Sequence, residues 1–290
     1  MSDKKTAFIT GAAMGMGALM ARTLADRGWE VYAGVVPGAD TSELVPHDGV
    51  TAIEQDVTDT DSVNKSAEEV DKLLDGRGLD LLVNNAGIAN MGIGVIEGCD
   101  IERGKFMFEV NTWGQVRVVQ AFLPFIRRGE PGRVINYASG AVRANPPGSG
   151  LYNMSKHAVS GMTLTMRHEL ACFGVQVTSI EPGSVDTHMT KDPYETTKNL
   201  WREIPKKVAE VYQPYLEECT TKVLPSNIVE KGNKPEYIVN TVLDLLKVKT
   251  WKPSYMVGKD VRGFTLFQKL LPALTFEKII QNEFKVPRKS

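Results

Sequence analysis

Tyr152 and Lys156 lie four positions apart in a helical pattern, on one helix face, and Ser139 precedes the tyrosine by thirteen positions at the end of an apolar run. A phenol titrates at about pH 10, too high for a base at neutral pH. A cation one helical turn away stabilises the phenolate and lowers that value, while a serine hydroxyl can hold a substrate oxygen. Together the three side chains make a proton donor and acceptor for an alcohol and carbonyl pair. Taken alone, YxxxK is common on exposed amphipathic helices, so its meaning depends on what accompanies it.

Two clusters accompany it. An apolar run over 7–10 leads directly into Gly11, Ala12, Ala13, Met14, Gly15, Met16 and Gly17, and a helical pattern follows with Ala18, Leu19, Ala21 and Leu24. Glycines in a strand-to-helix turn let the backbone approach a pyrophosphate, which the helix N-terminus then favours. The spacing is TGxxxGxG rather than GxGxxG, and a purely structural turn is the competing reading. The run over 79–84 leads into Asn84, Asn85, Ala86 and Gly87, at a strand end where open α/β sheets bind ligands. Ordinary turn chemistry is the alternative there.

These residues need a scaffold. Apolar runs at 7–10, 31–36, 50–53, 79–84, 133–138 and 175–180 are continuous rather than alternating, as strands covered on both faces should be. Helical patterns separate them, the longest at 101–128 and the next at 150–173, closing at Gly174. The expected fold is α/β, a doubly wound parallel sheet with right-handed crossovers and helices on both faces. After Pro182 the pattern changes, and 186–234, punctuated by Pro193, Pro205, Pro214 and Pro225, is expected to be a substrate lid. A helix over 235–248, a strand over 254–257 and a helical tail over 261–284 complete the chain. With no interdomain linker, one domain spans 1–290: a cofactor-binding and catalytic core at 5–185, the lid at 186–234 and the C-terminal part at 235–290.

Composition narrows the function. Among 290 residues, 34 Lys and Arg face 35 Asp and Glu for a net charge of -1, which gives no general attraction to nucleic acid. Cys99, Cys172 and Cys219 form no CxxC pair and no histidine cluster joins them, so neither a disulfide framework nor a metal site is expected, and a reducing cytoplasm fits. The apolar strand begins after five residues, so no secretory leader is expected, and no run of about 18 apolar residues is long enough to span a bilayer. Peripheral membrane contact through the C-terminal tail stays open.

The order of the TGxxxGxG turn, NNAG, Ser139 and YxxxK resembles the short-chain dehydrogenases/reductases over about residues 5–190. That resemblance implies a Rossmann-type fold and nicotinamide-dependent oxidation or reduction of a hydroxyl or carbonyl carbon. It makes Tyr152 the general acid/base, Lys156 the residue that lowers its pKa and binds the nicotinamide ribose, and Ser139 the substrate orienter. Asn111 matches a helix-kinking residue that holds a proton-relay water; a solvent-facing helix residue is the alternative. The implied cofactor contacts are Gly11, Met14, Gly15, Met16 and Gly17 in the turn, Asp56 and Val57 near adenine, Asn84, Ala86 and Gly87 after the fourth strand, and Pro182, Gly183, Val185 and Thr187 near the carboxamide, with Tyr152 and Lys156. Within the family, 27–34, 132–136 and 173–177 are similar to the branch of retinol, 17β-hydroxysteroid and 3-hydroxybutyrate dehydrogenases. The resemblance also implies a homodimer or homotetramer, expected to form through 101–128 and 150–173 with Phe106, Trp113, Phe122 and Phe173.

NAD is the expected cofactor, with NADP open. The second strand ends in Gly34, Val35, Val36 and Pro37, with neither acid nor base, and Met14 brings no positive charge. A 2′-phosphate without a cation is the worse compensated of the two, and Asp40 is a candidate for the ribose. The lid carries Met189, Tyr194, Leu200, Trp201, Tyr212, Tyr215 and Leu216, and the tail carries Phe264, Phe267, Leu270, Leu271, Leu274, Phe276, Ile279, Ile280 and Phe284. Such side chains suggest a hydrophobic secondary alcohol or ketone, steroid-like or retinoid-like. A small hydroxy acid resembling 3-hydroxybutyrate would instead use Lys191, Lys198, Arg202, Lys206 or Lys207. A non-enzymatic scaffold or redox sensor would have no need of Asn111, Ser139, Tyr152 and Lys156 together.

Overall fold

The computed structural model describes residues 4–89, 94–185, 192–223, 225–226 and 232–286. Its first half alternates β1 (Thr6–Ile9), α1 (Gly15–Ala25), β2 (Glu30–Val35), β3 (Val50–Glu54), α2 (Thr60–Leu74) and β4 (Leu81–Asn84). Next come α3 (Ile101–Phe108), α4 (Gly114–Ile126), β5 (Arg133–Tyr137), the single turn α5 (Ala141–Ala144), α6 (Gly150–Glu169) and β6 (Gln176–Pro182). The remainder holds α7 (Pro193–Arg202), α8 (Lys206–Glu218), α9 (Pro235–Leu246), β7 (Ser254–Val257), α10 (Lys259–Leu270) and α11 (Ala273–Glu283).

All seven strands form one parallel sheet in the order β3-β2-β1-β4-β5-β6-β7. Successive strand residues point to opposite faces, so each strand feeds two cores. Ala7, Ile9, Leu81 and Val83 pack with α1 and α9, whereas Phe8, Leu82 and Val134 pack with α2, α4 and Met166 of α6. Burial on both faces explains the continuous apolar runs. Strand order reverses between β1 and β4, and the crevice at that switch opens beyond the C-terminal strand ends. Phe122, expected at a subunit interface, instead lies buried on the sheet of its own chain, its ring 4.2 Å from that of Phe8.

The 101–128 pattern is not one regular helix. A π-helical turn over Glu109–Trp113 joins α3 to α4, at the expected kink around Asn111. The lid segment is more regular than its prolines suggest. Pro193 begins α7, Pro205 caps α8 and Pro214 lies inside α8, so two of these prolines start helices rather than break them. In the tail Pro272 divides the helical pattern into α10 and α11, because the residue before a proline is driven out of the helical region and Leu271 is extended. Among the described residues no helix is long and apolar enough to cross a membrane.

Candidate active site

The glycine turn and the NNAG segment are tied into one unit. Thr10 Oγ1 accepts from Asn85 N–H at 3.0 Å and from Ala86 N–H at 2.9 Å, and Asn85 Nδ2 donates back to the carbonyls of Thr10 and Gly11. Gly11 has φ +61, and a Cβ there would lie 2.8 Å from Ala86 Cα, so only glycine allows this approach. Gly15 has φ +60 with open space where a Cβ would stand, directly at the start of α1. A positive-φ turn with room in front of a helix N-terminus fits the pyrophosphate of a dinucleotide. Met14 is the helix N-cap and half exposed, and Met16 packs against the core beneath α1.

On the other side of the switch, α6 presents Tyr152 and Lys156. Lys156 is buried, donates from Nζ to the Tyr137 carbonyl at 3.0 Å and lies 5.8 Å from the centre of the Tyr152 ring. Desolvation lowers its pKa to about 8. Burial likewise pushes the Tyr152 phenol above its ordinary value, while a hydrogen bond with Ser139 acts in the opposite direction. Loss of water is the larger of the two influences in the protein alone. Ser139 also accepts from Ala141 N–H at 3.1 Å, which fixes its oxygen at the start of α5.

Asn111 is fully buried, so the solvent-facing alternative fails. Its Oδ1 accepts from Ile88 N–H and its Nδ2 donates to Ile88 O, each at 2.8 Å, and Nδ2 also reaches Ser155 Oγ at 3.1 Å. A Cβ on Gly87 would lie 3.1 Å from Asn111 Oδ1 and 3.3 Å from Lys156 Nζ. The π-helical turn, the NNAG loop and α6 thus converge on one point.

Ser139 is linked to the end of β6 by Gly140 N–H donating to Pro182 O and by a bidentate Arg143–Glu181 pair at 2.7 and 2.8 Å, with Glu181 buried. Gly183 N–H donates to Val257 O at 2.8 Å, and Val185 bridges to Asn233, so this segment joins the core to the C-terminal part.

Several expected contacts sit differently. Asn84 turns its side chain into the sheet, donating to Asn136 Oδ1 at 2.8 Å, so only its backbone can face the crevice; Asn85 is the residue that reaches the turn. Asp56 Oδ1 accepts from Thr58 N–H and Oγ1, which shapes this loop, and Val57 packs under Gly114. Asp40 accepts from Ser42 N–H through Oδ1 at 2.9 Å. Glu43, which no motif marks, reaches the glycine turn, accepting from Gly15 N–H at 3.0 Å. Its only sequence signal is an acid in the loop after β2. Thr187, Met189 and Lys191 lie outside the described residues, as does the Tyr215 side chain. Trp201 and Ile204 pack with Val95, Tyr212 and Leu216, and Phe264, Phe276, Ile280 and Phe284 pack around Cys219, so much of the expected apolar lining forms the cores of the cap itself.

A family model described as short chain dehydrogenase matches residues 5–198. The chain is 31% identical over 272 residues to 17-beta-hydroxysteroid dehydrogenase type 6 of Rattus norvegicus, covering 92% of this chain and 85% of that protein. It is 31% identical over 280 residues to retinol dehydrogenase 7 of the same species, covering 95% and 87%. A short chain dehydrogenase from Burkholderia cenocepacia J2315, solved in complex with NADP, superimposes with a TM-score of 0.72 at 25% identity, covering 99% of this chain and 100% of that one. With the parallel sheet, the glycine turn and the clustered Ser139, Tyr152 and Lys156 already in hand, this chain belongs to the short-chain dehydrogenases and is an NAD(P)-dependent oxidoreductase.

Proposed function

We propose that the protein interconverts a hydrophobic secondary alcohol and its ketone, of steroid-like or retinoid-like size, with NAD as the preferred cofactor. The observation that carries the reading is the buried Lys156, held on the Tyr137 carbonyl with its Nζ 5.8 Å from the Tyr152 ring, beside a phenol whose pKa Ser139 influences. When bound, the nicotinamide supplies the hydride acceptor in one direction and the hydride donor in the other. Tyr152 takes the hydroxyl proton of an alcohol, or gives a proton to a carbonyl oxygen, while Ser139 holds that oxygen in place. Lys156, when charged, favours the phenolate across the 5.8 Å to the ring, and Asn111 holds the NNAG loop against it. Gly11, Gly15, Gly17, Ala86 and Gly87 would accommodate the pyrophosphate side, and Pro182 and Gly183 the carboxamide side.

The two rat relatives are named for steroid and retinol substrates, which supports the apolar class. Against a small hydroxy acid, Lys198 is paired with Glu195 and Arg202 bonds Asn199, so these cations are already engaged. NAD is supported by the lack of a basic residue at the end of β2, although the Burkholderia cenocepacia relative was solved with NADP. The test compares turnover of estradiol, retinol and 3-hydroxybutyrate at matched concentrations with NAD. Preference for the hydroxy acid overturns the substrate reading.

A homodimer or homotetramer fits Ile101, Phe106, Trp113 and Phe173, large apolar side chains all about half exposed or more on and beside α3, α4 and α6. A monomer by light scattering at micromolar concentration overturns it. Leu266, Phe267, Leu270 and Leu274 are similarly exposed on α10 and α11 and support peripheral membrane contact by the tail; flotation with anionic vesicles tests this. A cytoplasmic place of action fits three free cysteines.

A further inference from the structure

Ser139 sits on a piece of chain that cannot hold its own place. It follows β5, which ends at Tyr137, and leads into α5, a single turn of four residues. One turn of helix is not stable in water by itself, so contacts with the rest of the molecule must place it. Of Ala141, Val142, Arg143 and Ala144, only Arg143 has a polar side chain. It stands four positions after Ser139, one helical turn away.

That side chain reaches across to the neighbouring strand. Arg143 Nε donates to Glu181 Oε2 at 2.7 Å and Nη2 to Oε1 at 2.8 Å, and Nη2 also reaches Ser254 Oγ of β7 at 3.3 Å. Glu181 is 1% exposed, and Ser179 Oγ donates to it at 3.4 Å. Two parallel hydrogen bonds between planar groups fix orientation as well as distance, which a lysine cannot do. Well-packed apolar residues of similar volume are often as stable as a buried ion pair, whose best-attested use is to fix register. The two strand ends are anchored unequally. β6 is paired on both sides and continues into Gly183, whose N–H donates to Val257 O at 2.8 Å. The chain beyond β5 has Gly140 N–H on Pro182 O at 2.6 Å, the Arg143 fork and, at the far end of α5, Asn145 Oδ1 against His157 Nε2 at 2.8 Å. A Cβ on Gly140 would clash with Val261 of α10, so this turn is closely seated and a small shift has nowhere to be absorbed.

We propose that Arg143 is a positioning residue for the reaction, its fork on Glu181 setting where Ser139 holds the substrate oxygen relative to Tyr152. The assignment rests on the reading of Ser139 and Tyr152 above. Because β6 keeps its own anchors, loss of the fork falls on Ser139 and leaves the Pro182 and Gly183 side of the cofactor site in place.

Steady-state kinetics of the full chain with NAD, on whichever of estradiol, retinol and 3-hydroxybutyrate the wild type turns over fastest, test it together with NADH fluorescence titration. Arg143→Lys keeps the charge and loses the fork. It is expected to lower kcat by about 10- to 100-fold, the scale of a small misplacement at the reacting atoms, with NADH affinity within about twofold of the wild type. Ser139→Ala removes the group being positioned, so in that background Arg143→Lys is expected to cost less than about twofold. Arg143→Met combined with Glu181→Met replaces the pair by apolar side chains and is expected to unfold near the wild-type Tm, yet to stay as slow as Arg143→Lys. Wild-type kcat in either variant, an equal loss with and without Ser139, or NADH affinity falling in step with kcat would make the pair a purely structural clasp and overturn the proposal. If the paired substitution does not fold, the comparison in the Ser139→Ala background decides. A wild type that turns over none of the three removes the reading of Ser139 and Tyr152 and this assignment with it, whereas an active wild type unaffected by Arg143→Lys removes only the role of Arg143.

Discussion

The catalytic core and the cap over it are held by different forces. In the core, polar side chains bond one another and the backbone: Asn84 to Asn136 and on to Thr163, Asn85 to the carbonyls of Thr10 and Gly11, Asn111 to the Ile88 carbonyl and to Ser155. Each of these groups would be costly to leave unpaired, so these bonds permit one arrangement and hold the reactive side chains to it. The cap formed by α7 and α8 rests on small apolar clusters around Trp201 and Cys219 and on exposed pairs such as Arg103–Glu203 and Lys285–Glu218. Exposed pairs contribute little, so displacing this part of the molecule costs less than disturbing the site below. Polar networks in the one region and small apolar clusters in the other thus set different resistance to displacement.

The sharpest way to break this comparison is to change one oxygen in the core. Tyr152→Phe is expected to lower kcat by about 10²–10⁴ with NADH affinity unchanged, because only proton transfer is lost. Steady-state kinetics together with NADH fluorescence titration check it, and a variant with most of its activity would remove the tyrosine from the chemistry. Next in size, Arg143→Ala leaves the buried Glu181 carboxylate without its guanidinium and is expected to cost about 3–5 kcal/mol in urea unfolding. A loss no larger than that of a surface pair would show that the junction between Ser139 and β6 is not part of the rigid region.

A pH dependence sharpens the core side. With a folded pKa of about 8 against an ordinary 10.5, Lys156 is neutral in the folded chain and protonated in the unfolded chain between those values. The unfolded state binds the extra proton there, so this group makes stability rise as pH increases through that window. Lys156→Met should lack that rise when unfolding midpoints at about pH 7.5 and 10 are compared; equal slopes in the two proteins would contradict the burial argument. The smallest effect belongs to the cap. Arg103→Ala, which breaks the exposed pair with Glu203, is expected to cost less than about 1 kcal/mol. A larger cost by urea unfolding would mean that the cap is bound as firmly as the core.

Most strands were legible because burial on both faces leaves continuous apolar runs, and the expected 31–36, 133–138 and 254–257 reappear as β2, β5 and β7 with shifts of a residue at most. The helices α7 and α8 were not legible because prolines that begin helices look, in a sequence, like prolines that end them. Phe122 and Phe106 show a similar limit. Both are aromatic and both lie in the same helical pattern, yet one is enclosed against Phe8 and the other is 46% exposed.

What the sequence determined by itself was local: the order of glycine turn, NNAG, Ser139 and YxxxK, the shared helix face of Tyr152 and Lys156, and the alternation that builds a parallel sheet. These follow from spacings of a few residues, which backbone geometry converts directly into position. The tertiary structure alone decided which of Asn84 and Asn85 faces the crevice, that burial would push Tyr152 up and Lys156 down, that Arg143 would clasp Glu181 and that Glu43 would reach Gly15. Those pairings join residues 28 to 75 positions apart, and no local pattern encodes them. They exist because packing the two faces of the sheet brings distant polar groups out of water, where each must find a partner within hydrogen-bond reach.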